Sequence, residues 1–539
     1  MRLTACLFLS LSLFVSLAWC DEGHHHALTE EEIGSVHFAT SCAKTTEASF
    51  NRAVAMLHSF QYEDSRQAFD AIAQQDPVCA MAQWGVAMSH YHGLWHNGDM
   101  AAGREAWSRA HDMASANPKT TAREKGYIDA LGEIYRQDRK DEYAHAEVYE
   151  QQMGALQAAY PDDSEAAIFH AIALDFTAPK TDKTFSHQRQ CGEILQPIFQ
   201  KQPHHPGVAH YLIHCYDNPV LAERALDAAR AYAKIAPASA HANHMPSHIF
   251  TRVGSWEESI DSNRRSASLA SQAENASKNG EARDQRLHAL DYLEYAYLQS
   301  GQVKNAKAVL DEMKSLPPLP GLTLTGNYAI AAVPARYIME LAQWKQASEL
   351  PAPTEGTLWA QAITWMAIGI GSARSNNLEP ATQAEKTLAT LRDTIARQNN
   401  MYWSNQVEVQ RREVAAWIAE QSGKHEDGLT MMRSAAELEE SMDKDAVTPG
   451  AVIPAREMLA ELLLSAKRPA EALAAYESAL KIAPKRFNAL YGAARAAEAS
   501  GNPSVASRYF QELIRISVGE ERSELTTARK KWRSQLQSR

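Results

Sequence analysis

The sequence predicts an all-α protein, a right-handed superhelical solenoid of helix-turn-helix units, for three reasons. First, small and aromatic residues near the C-terminus recur after 34 residues. Second, Pro484 closes the first of these sets, where a proline stops a helix. Third, alternating Val, Ile and Thr runs bounded by hairpin turns, the pattern of β-strands, are nearly absent. The recurring residues are Ala472, Tyr476 and Ala479, followed by Ala506, Phe510 and Leu513.

This period and pattern are those of the tetratricopeptide repeat, in which small and aromatic positions let one helix nest against the next. The same template fits upstream, so we expect about twelve helical hairpins between residues 46 and 520. The upstream matches are Phe69 with Pro77, Ala225 and Ala229 with Tyr232 and Pro237, Ala306 and Leu310 with Pro318, and Trp365 with Gly369 and Ala381.

We predict five segments along the chain. Residues 1–20 are a signal peptide, and residues 21–45 are an acidic N-terminal lead-in. Residues 46–320 form a first solenoid with a histidine-rich groove, and residues 321–522 form a second one. Residues 523–539 are a charged helical tail.

The N-terminus indicates export. Arg2 precedes an apolar run from Ala5 to Trp19, and polar residues follow from Asp21. The run is too short to span a membrane, and no later stretch approaches the length of a span. We therefore expect a soluble periplasmic or extracellular protein. The alternative is a lipoprotein, because residues 17–20 resemble a lipobox that would place a lipid on Cys20.

Four cysteines remain after the signal peptide, and an oxidising compartment allows them to pair. Because a solenoid contacts mainly its sequence neighbours, we favour Cys42–Cys79 and Cys191–Cys215. Free buried thiols are the alternative.

The charge argues against nucleic acid as a partner. The formal net charge is -11 at pH 7, so the chain has no overall basic footprint for phosphates. A helical-repeat scaffold instead favours a peptide or partner protein.

Paired histidines follow the structural period. His210 and His214 recur 34 residues later as His244 and His248, with His241 alongside. In tetratricopeptide domains the first helix of each unit lines a concave groove, and this register places the histidines at inward positions. The same register assigns groove positions to Asp217, His241, Arg252, His288, Asp291, Arg336, Tyr491 and Arg495.

This spacing suits a transition metal. Side chains four residues apart share one helix face, about 5–6 Å apart at Cβ, and imidazole nitrogen binds both zinc and copper. We therefore predict that His210, His214, His244 and His248 could hold one zinc or copper ion, with Asp217 or Asp291 supporting a ring. The alternative is that these histidines are hydrogen-bonded structural residues.

Motifs of known catalytic chemistry do not occur. The sequence has no H-E-x-x-H helix, no G-x-S-x-G elbow, no phosphate-binding G-x-x-x-x-G-K-[ST] loop and no C-x-x-C pair. The sequence alone therefore leaves open whether the protein is an enzyme.

Six segments of the chain carry distinctive motifs: residues 205–214 (HPGVAHYLIH), 244–250 (HMPSHIF), 36–38 (VHF), 55–60 (AMLHSF), 288–292 (HALDY) and 447–450 (VTPG). Together they resemble a widespread family of exported bacterial tetratricopeptide repeat proteins. The resemblance implies the repeat fold and export, and it supplies no substrate because the family has no established activity.

Two functions follow as expectations. The first is an exported scaffold that binds a peptide or partner protein in its concave groove. The second is a zinc- or copper-binding protein, and potentially a metalloenzyme, with its site between residues 205 and 291.

Overall fold

A computed structural model describes residues 28–94, 98–136, 142–277, 280–319, 321–519 and 521–537. The predicted signal peptide, Cys20 and residues 21–27 of the predicted lead-in lie outside these ranges. In the described part of the chain, no helix is both long and apolar enough to cross a membrane.

The described residues form α-helices and two short 3-10 helices, with no strand among them, as the sequence predicts. The N-terminal helices are α1 (Glu30–Ile33), α2 (Glu47–His58), α3 (Tyr62–Gln75), α4 (Ala80–His90), α5 (Met100–Ala116), α6 (Ala122–Tyr135), α7 (Glu142–Ala159), α8 (Ser164–Phe176) and α9 (Ser186–Lys201). The central helices are α10 (Pro206–Tyr216), α11 (Leu226–Ile235), α12 (Ala240–His244), α13 (Pro246–Val253), α14 (Trp256–Ser277), α15 (Gly280–Gln299), α16 (Val303–Ser315), α17 (Leu324–Glu340) and α18 (Trp344–Ser348). The C-terminal helices are α19 (Leu358–Arg374), α20 (Leu378–Arg397), α21 (Met401–Gln421), α22 (His425–Glu440), α23 (Ala455–Ser465), α24 (Pro469–Ile482), α25 (Phe487–Ala499), α26 (Pro503–Ile516) and α27 (Ser523–Gln537).

Close helix packing explains the small residues of the repeat. A Cβ atom on Gly85 would lie 2.3 Å from the ring of Phe69, and one on Gly492 would lie 2.2 Å from the ring of Tyr476. Such contacts are too short for any side chain, so glycine is required where an aromatic ring of one helix nests against the next. The nesting predicted for Tyr476 is therefore present.

Three apolar clusters form the interior. The first runs from Ile33 to Phe250, the second from Tyr328 to Ala528, and the third from Trp256 to Ala347. The third cluster includes residues on both sides of the predicted boundary at 320/321, so apolar packing continues across it. The division into two solenoids stays a prediction.

The cysteines pair in the favoured way. Cys42 is bonded to Cys79, and Cys191 is bonded to Cys215. The second disulfide ties α9 to α10, the helix that carries His210 and His214.

C-terminal segments return to the central helices. The Trp256 indole donates a hydrogen bond to the Lys485 carbonyl over 3.1 Å, and Tyr292 donates one to the Thr448 carbonyl over 2.8 Å. Residues 443–454, which connect α22 to α23, therefore pack over the helices that carry the paired histidines.

Candidate metal centre

One set of three buried histidines joins α10 to α12. The Nε2 atom of His210 lies 3.0 Å from that of His214 and 3.0 Å from that of His241. The three side chains belong to residues that are at most 6% exposed. Their ring nitrogens therefore converge on one enclosed point.

A second set joins α12, α13 and α15. The Nε2 atoms of His244 and His248 are 3.0 Å apart, and the His288 ring centroid lies 4.2 Å from that of His244. One ligand nitrogen of each residue lies within 4.8 Å of the other two. All three residues are buried.

The two sets are neighbours. The ring centroids of His214 and His248 are 6.3 Å apart, and those of His241 and His244 are 6.4 Å apart. The sequence suggested a single four-ligand site made of His210, His214, His244 and His248. The structure instead divides these four residues between two sets, which His241 and His288 complete.

Pro246 lies inside the second set. Because proline has no N–H, it interrupts the helical hydrogen bonding, and α12 ends at His244 while α13 begins at Pro246. The backbone nevertheless keeps helical dihedrals at Met245 (φ -52°, ψ -37°), so His244 and His248 still share one face.

Hydrogen bonds fix the orientation of three rings. The Nδ1 atom of His210 lies 2.6 Å from the His58 carbonyl oxygen. The Nδ1 atom of His248 lies 2.9 Å from a carboxylate oxygen of Asp217. Both oxygens can only accept, so each Nδ1 carries the proton and each neutral ring has a lone pair at Nε2.

The tautomer of His244 follows from its hydrogen bonds in the same way. Its Nδ1 atom lies 2.7 Å from Oδ1 of Asn263. The amide is oriented with its oxygen toward the ring, because its nitrogen donates to the Ser259 carbonyl over 2.8 Å. His244 therefore also carries its proton on Nδ1.

It follows that two lone pairs face each other. With both Nδ1 atoms donating, neither His244 nor His248 has a proton at Nε2 in its neutral form, yet these atoms are 3.0 Å apart. A cation between them, either a proton or a metal ion, would relieve this repulsion. Burial lowers the pKa of His244 well below its usual value and also lowers that of His248, which disfavours the proton.

A buried ion network supports His248. Arg252 donates to Asp217 over 2.8 Å, and Lys444 donates to the other carboxylate oxygen over 2.7 Å. Although burial opposes ionisation, Lys444 and Arg252 hold the pKa of Asp217 well below its usual value. Asp217 is thus an ionised acceptor for the His248 ring.

The spacing of the nitrogens is close to that of metal ligands. Zinc binds histidine nitrogen at about 2.0–2.1 Å, so two nitrogens on a tetrahedral ion lie about 3.3–3.4 Å apart. The observed separations of 3.0 Å would need to widen by only a few tenths of an ångström.

The remaining predicted groove residues have other surroundings. Arg336 is fully buried, and one guanidinium nitrogen donates to Asp291 over 2.6 Å and to Glu294 over 2.9 Å. Asp291 thus belongs to a buried ion network with Arg336. Tyr491 is half-buried on α25, and Arg495, on the same helix, is exposed.

In a third buried cluster, formed by His58, Glu165 and His205, the hydrogen-bonding groups already have partners. The carboxylate of Glu165 accepts hydrogen bonds from Nε2 of His58 over 2.9 Å and of His205 over 2.8 Å. The Nδ1 atom of His58 accepts from Tyr211, and that of His205 accepts from the Val208 amide. Each imidazole nitrogen has a partner, so this cluster acts structurally and positions the His58 carbonyl that holds His210.

The sequence did not identify three residues that support the histidines. Asn263 comes from α14, Tyr292 from α15 and Lys444 from the connection after α22. The resemblance at residues 288–292 was the available signal for Tyr292. Lys444 lies 227 residues from Asp217 in sequence, beyond the reach of repeat spacing.

Comparison with a known repeat family supports the fold of the C-terminal region. A tetratricopeptide repeat model matches residues 463–523, and no curated protein matches the chain. The yeast Tom70 crystal structure is 12% identical, with 76% of this chain and 96% of that chain covered and a TM-score of 0.29. The human IFIT1 dimer with PPP-AAAA is 12% identical, with coverages of 87% and 90% and a TM-score of 0.37.

Similarity to solved structures at this level carries no information about a ligand. The helices, the close packing of small against aromatic residues and the matched C-terminal repeat agree with one another. The described part of the chain therefore has an all-α helical-repeat fold of the tetratricopeptide type.

Proposed function

We propose that this protein binds transition-metal ions, copper or zinc, in two adjacent three-histidine sites. His210, His214 and His241 would hold one ion, and His244, His248 and His288 would hold the other. The observation that carries the proposal is the pair of Nε2 lone pairs of His244 and His248, 3.0 Å apart. Six neutral imidazoles suit both metals.

The surroundings favour bound metal. Histidines that bind metals usually donate their other ring N–H to an oxygen, which fixes the tautomer and raises ligand basicity. His210, His244 and His248 all do so, to a carbonyl, an amide and a carboxylate respectively. A purely structural pair would set a donor against an acceptor, whereas His244 and His248 set two lone pairs 3.0 Å apart.

Three protein ligands leave one position of a tetrahedral ion open, as in catalytic rather than structural zinc sites. A small cleft of about 50 Å³ reaches His214 and is also lined by Asp175, Asp217 and Lys444. A small molecule could therefore approach the first set. This cleft is the observation that supports a metalloenzyme.

We infer export as well. The signal-like residues 1–20 support it, and two disulfides within the described chain suit an oxidising compartment. Binding of a peptide or partner protein by the repeats is the second candidate function. It rests on the scaffold architecture.

Elemental analysis tests the metal proposal. The mature chain is purified without an affinity tag and with His24, His25 and His26 changed to Ala, so that the short N-terminal histidine run cannot retain metal. A second sample also carries His214→Ala and His248→Ala, one substitution in each set. The matched control carries His425→Ala, because this histidine is exposed on α22.

We expect about two copper or zinc ions per chain, retained in the control and lost from the double variant while its helical circular dichroism is unchanged. A wild-type chain that stays free of metal after loading with either ion would refute the proposal. Peptide binding that survives the double variant would favour the plain scaffold.

A further inference from the structure

A second cavity, partly open to solvent, lies beyond the histidines on the other side of Arg252. It has a volume of about 350 Å³ and is lined by residues of α13, α15, α17, α19, α21 and α22 and of the connection 443–454. A cavity of this size accommodates a small organic molecule. Arg252 separates it from the histidines, since its guanidinium also holds Asp217.

Aromatic rings form part of its wall. Trp403 and Tyr402 come from α21, Tyr328 from α17 and Tyr295 from α15. The Trp403 ring is held by stacking on Trp359 at 4.5 Å between centroids. Fixed aromatic faces of this kind attract apolar groups and organic cations.

One buried carboxylate faces this cavity without a counter-charge. Glu413 is 1% exposed and lines the cavity, and its Oε2 atom has no hydrogen-bond partner in the described part of the chain. Glu439 lines the same space and accepts a hydrogen bond from the Ala455 amide over 3.0 Å. Burial, reinforced by the neighbouring Glu439, raises the pKa of Glu413 well above its usual value.

The other charged groups that line the cavity either form ion pairs or are exposed to solvent. Arg252 binds Asp217 and Asp443. Lys444 binds Asp217, and Glu440 binds Arg456 over 2.6 Å. Lys183 is exposed. Glu413 is therefore a carboxyl group of the lining that has no cationic partner, and an ammonium group beside it would favour its ionised form.

We propose that this cavity binds a small organic amine, whose ammonium group meets Glu413 and Glu439 while its apolar or aromatic body packs on Trp403 and Tyr328. This inference is independent of the metal proposal, because none of these four residues belongs to the histidine sets.

Isothermal titration of the full mature chain tests this proposal with three probes of similar shape: 2-phenylethylamine, the neutral 2-phenylethanol and the anionic phenylacetate. We expect saturable binding of the amine with an affinity at least about tenfold above that of either analogue, the value of one charge-assisted hydrogen bond. Glu413→Gln should remove this preference. Glu437→Gln, on the exposed face of α22, should leave it unchanged.

Equal affinities for the amine and the alcohol would overturn the proposal, because the site would then be an apolar pocket alone. No saturable binding of the amine, or a preference for phenylacetate, would overturn it too. If Glu413→Gln fails to fold by circular dichroism, Glu439→Gln replaces it under the same expectation. An unchanged amine preference in the folded variant contradicts the assignment.

Discussion

The Nε2 atoms of His244 and His248 lie 3.0 Å apart, while each ring turns its Nδ1 atom toward an acceptor oxygen. This arrangement leaves two lone pairs facing each other in a site from which water is largely excluded. A bound metal ion would relieve the repulsion between these lone pairs. It would also be coordinated by His288, whose ring packs against both other rings.

Changing Asn263 to Ala should weaken metal binding without removing a ligand. The variant leaves Nδ1 of His244 without the acceptor that fixes its tautomer. Loss of such a supporting residue typically lowers metal affinity about 10–100-fold. Competition with a chelator measures this change, and an unchanged affinity would mean that Asn263 has no role in orienting the ligand.

Substitution of Arg336 should lower stability much more than substitution of Arg495, although the same register predicted both as groove residues. Arg336→Met leaves Asp291 and Glu294 buried without their cation, which should lower the free energy of unfolding by about 3–5 kcal/mol. Arg495→Met alters an exposed side chain and should have little effect. Urea denaturation compares the two variants, and equal stabilities would contradict the buried network.

Stability should fall as pH rises because of Glu439. Burial raises the pKa of Glu439 to about 7, whereas the pKa of an unfolded glutamate is about 4.3. The folded state then holds the proton more tightly, so its advantage is complete below the unfolded pKa and is lost as pH rises through 7. The complete loss amounts to at most about 4 kcal/mol.

The measurement is the free energy of unfolding at pH 5 and pH 8. Glu439→Gln should flatten the difference between the two pH values, and Glu437→Gln, on the same helix, should not. A wild-type protein that is as stable at pH 8 as at pH 5, and that Glu439→Gln leaves unchanged, would argue against a raised pKa.

Removal of the second disulfide should weaken both stability and the first metal set. Cys191 and Cys215 are 24 residues apart, and closing a loop of this length contributes about 3 kcal/mol. Cys191→Ser with Cys215→Ser frees α10, so His210 and His214 lose part of their alignment. Thermal unfolding and metal titration of the double variant report the two effects, and Cys42→Ser with Cys79→Ser is the control for loss of a disulfide elsewhere. Equal metal affinity in the two double variants would show that the Cys191–Cys215 disulfide does not align the first metal set.

The repeat period predicted much of this arrangement. The 34-residue spacing placed His210 and His214 beside His244 and His248, and the structure brings these helices together. The division into two sets could not be predicted, since it depends on the offset between neighbouring helices. The placement of Lys444 depends on a return of the chain across more than two hundred residues, which no local pattern encodes.

Anomalous X-ray diffraction from crystals of the metal-loaded mature chain, recorded at the copper and zinc absorption edges, tests the central claim most directly. We expect two anomalous peaks, one within ligand distance of His210, His214 and His241, and one within ligand distance of His244, His248 and His288. Crystals that contain the metal but show no peak at either histidine set would contradict the account.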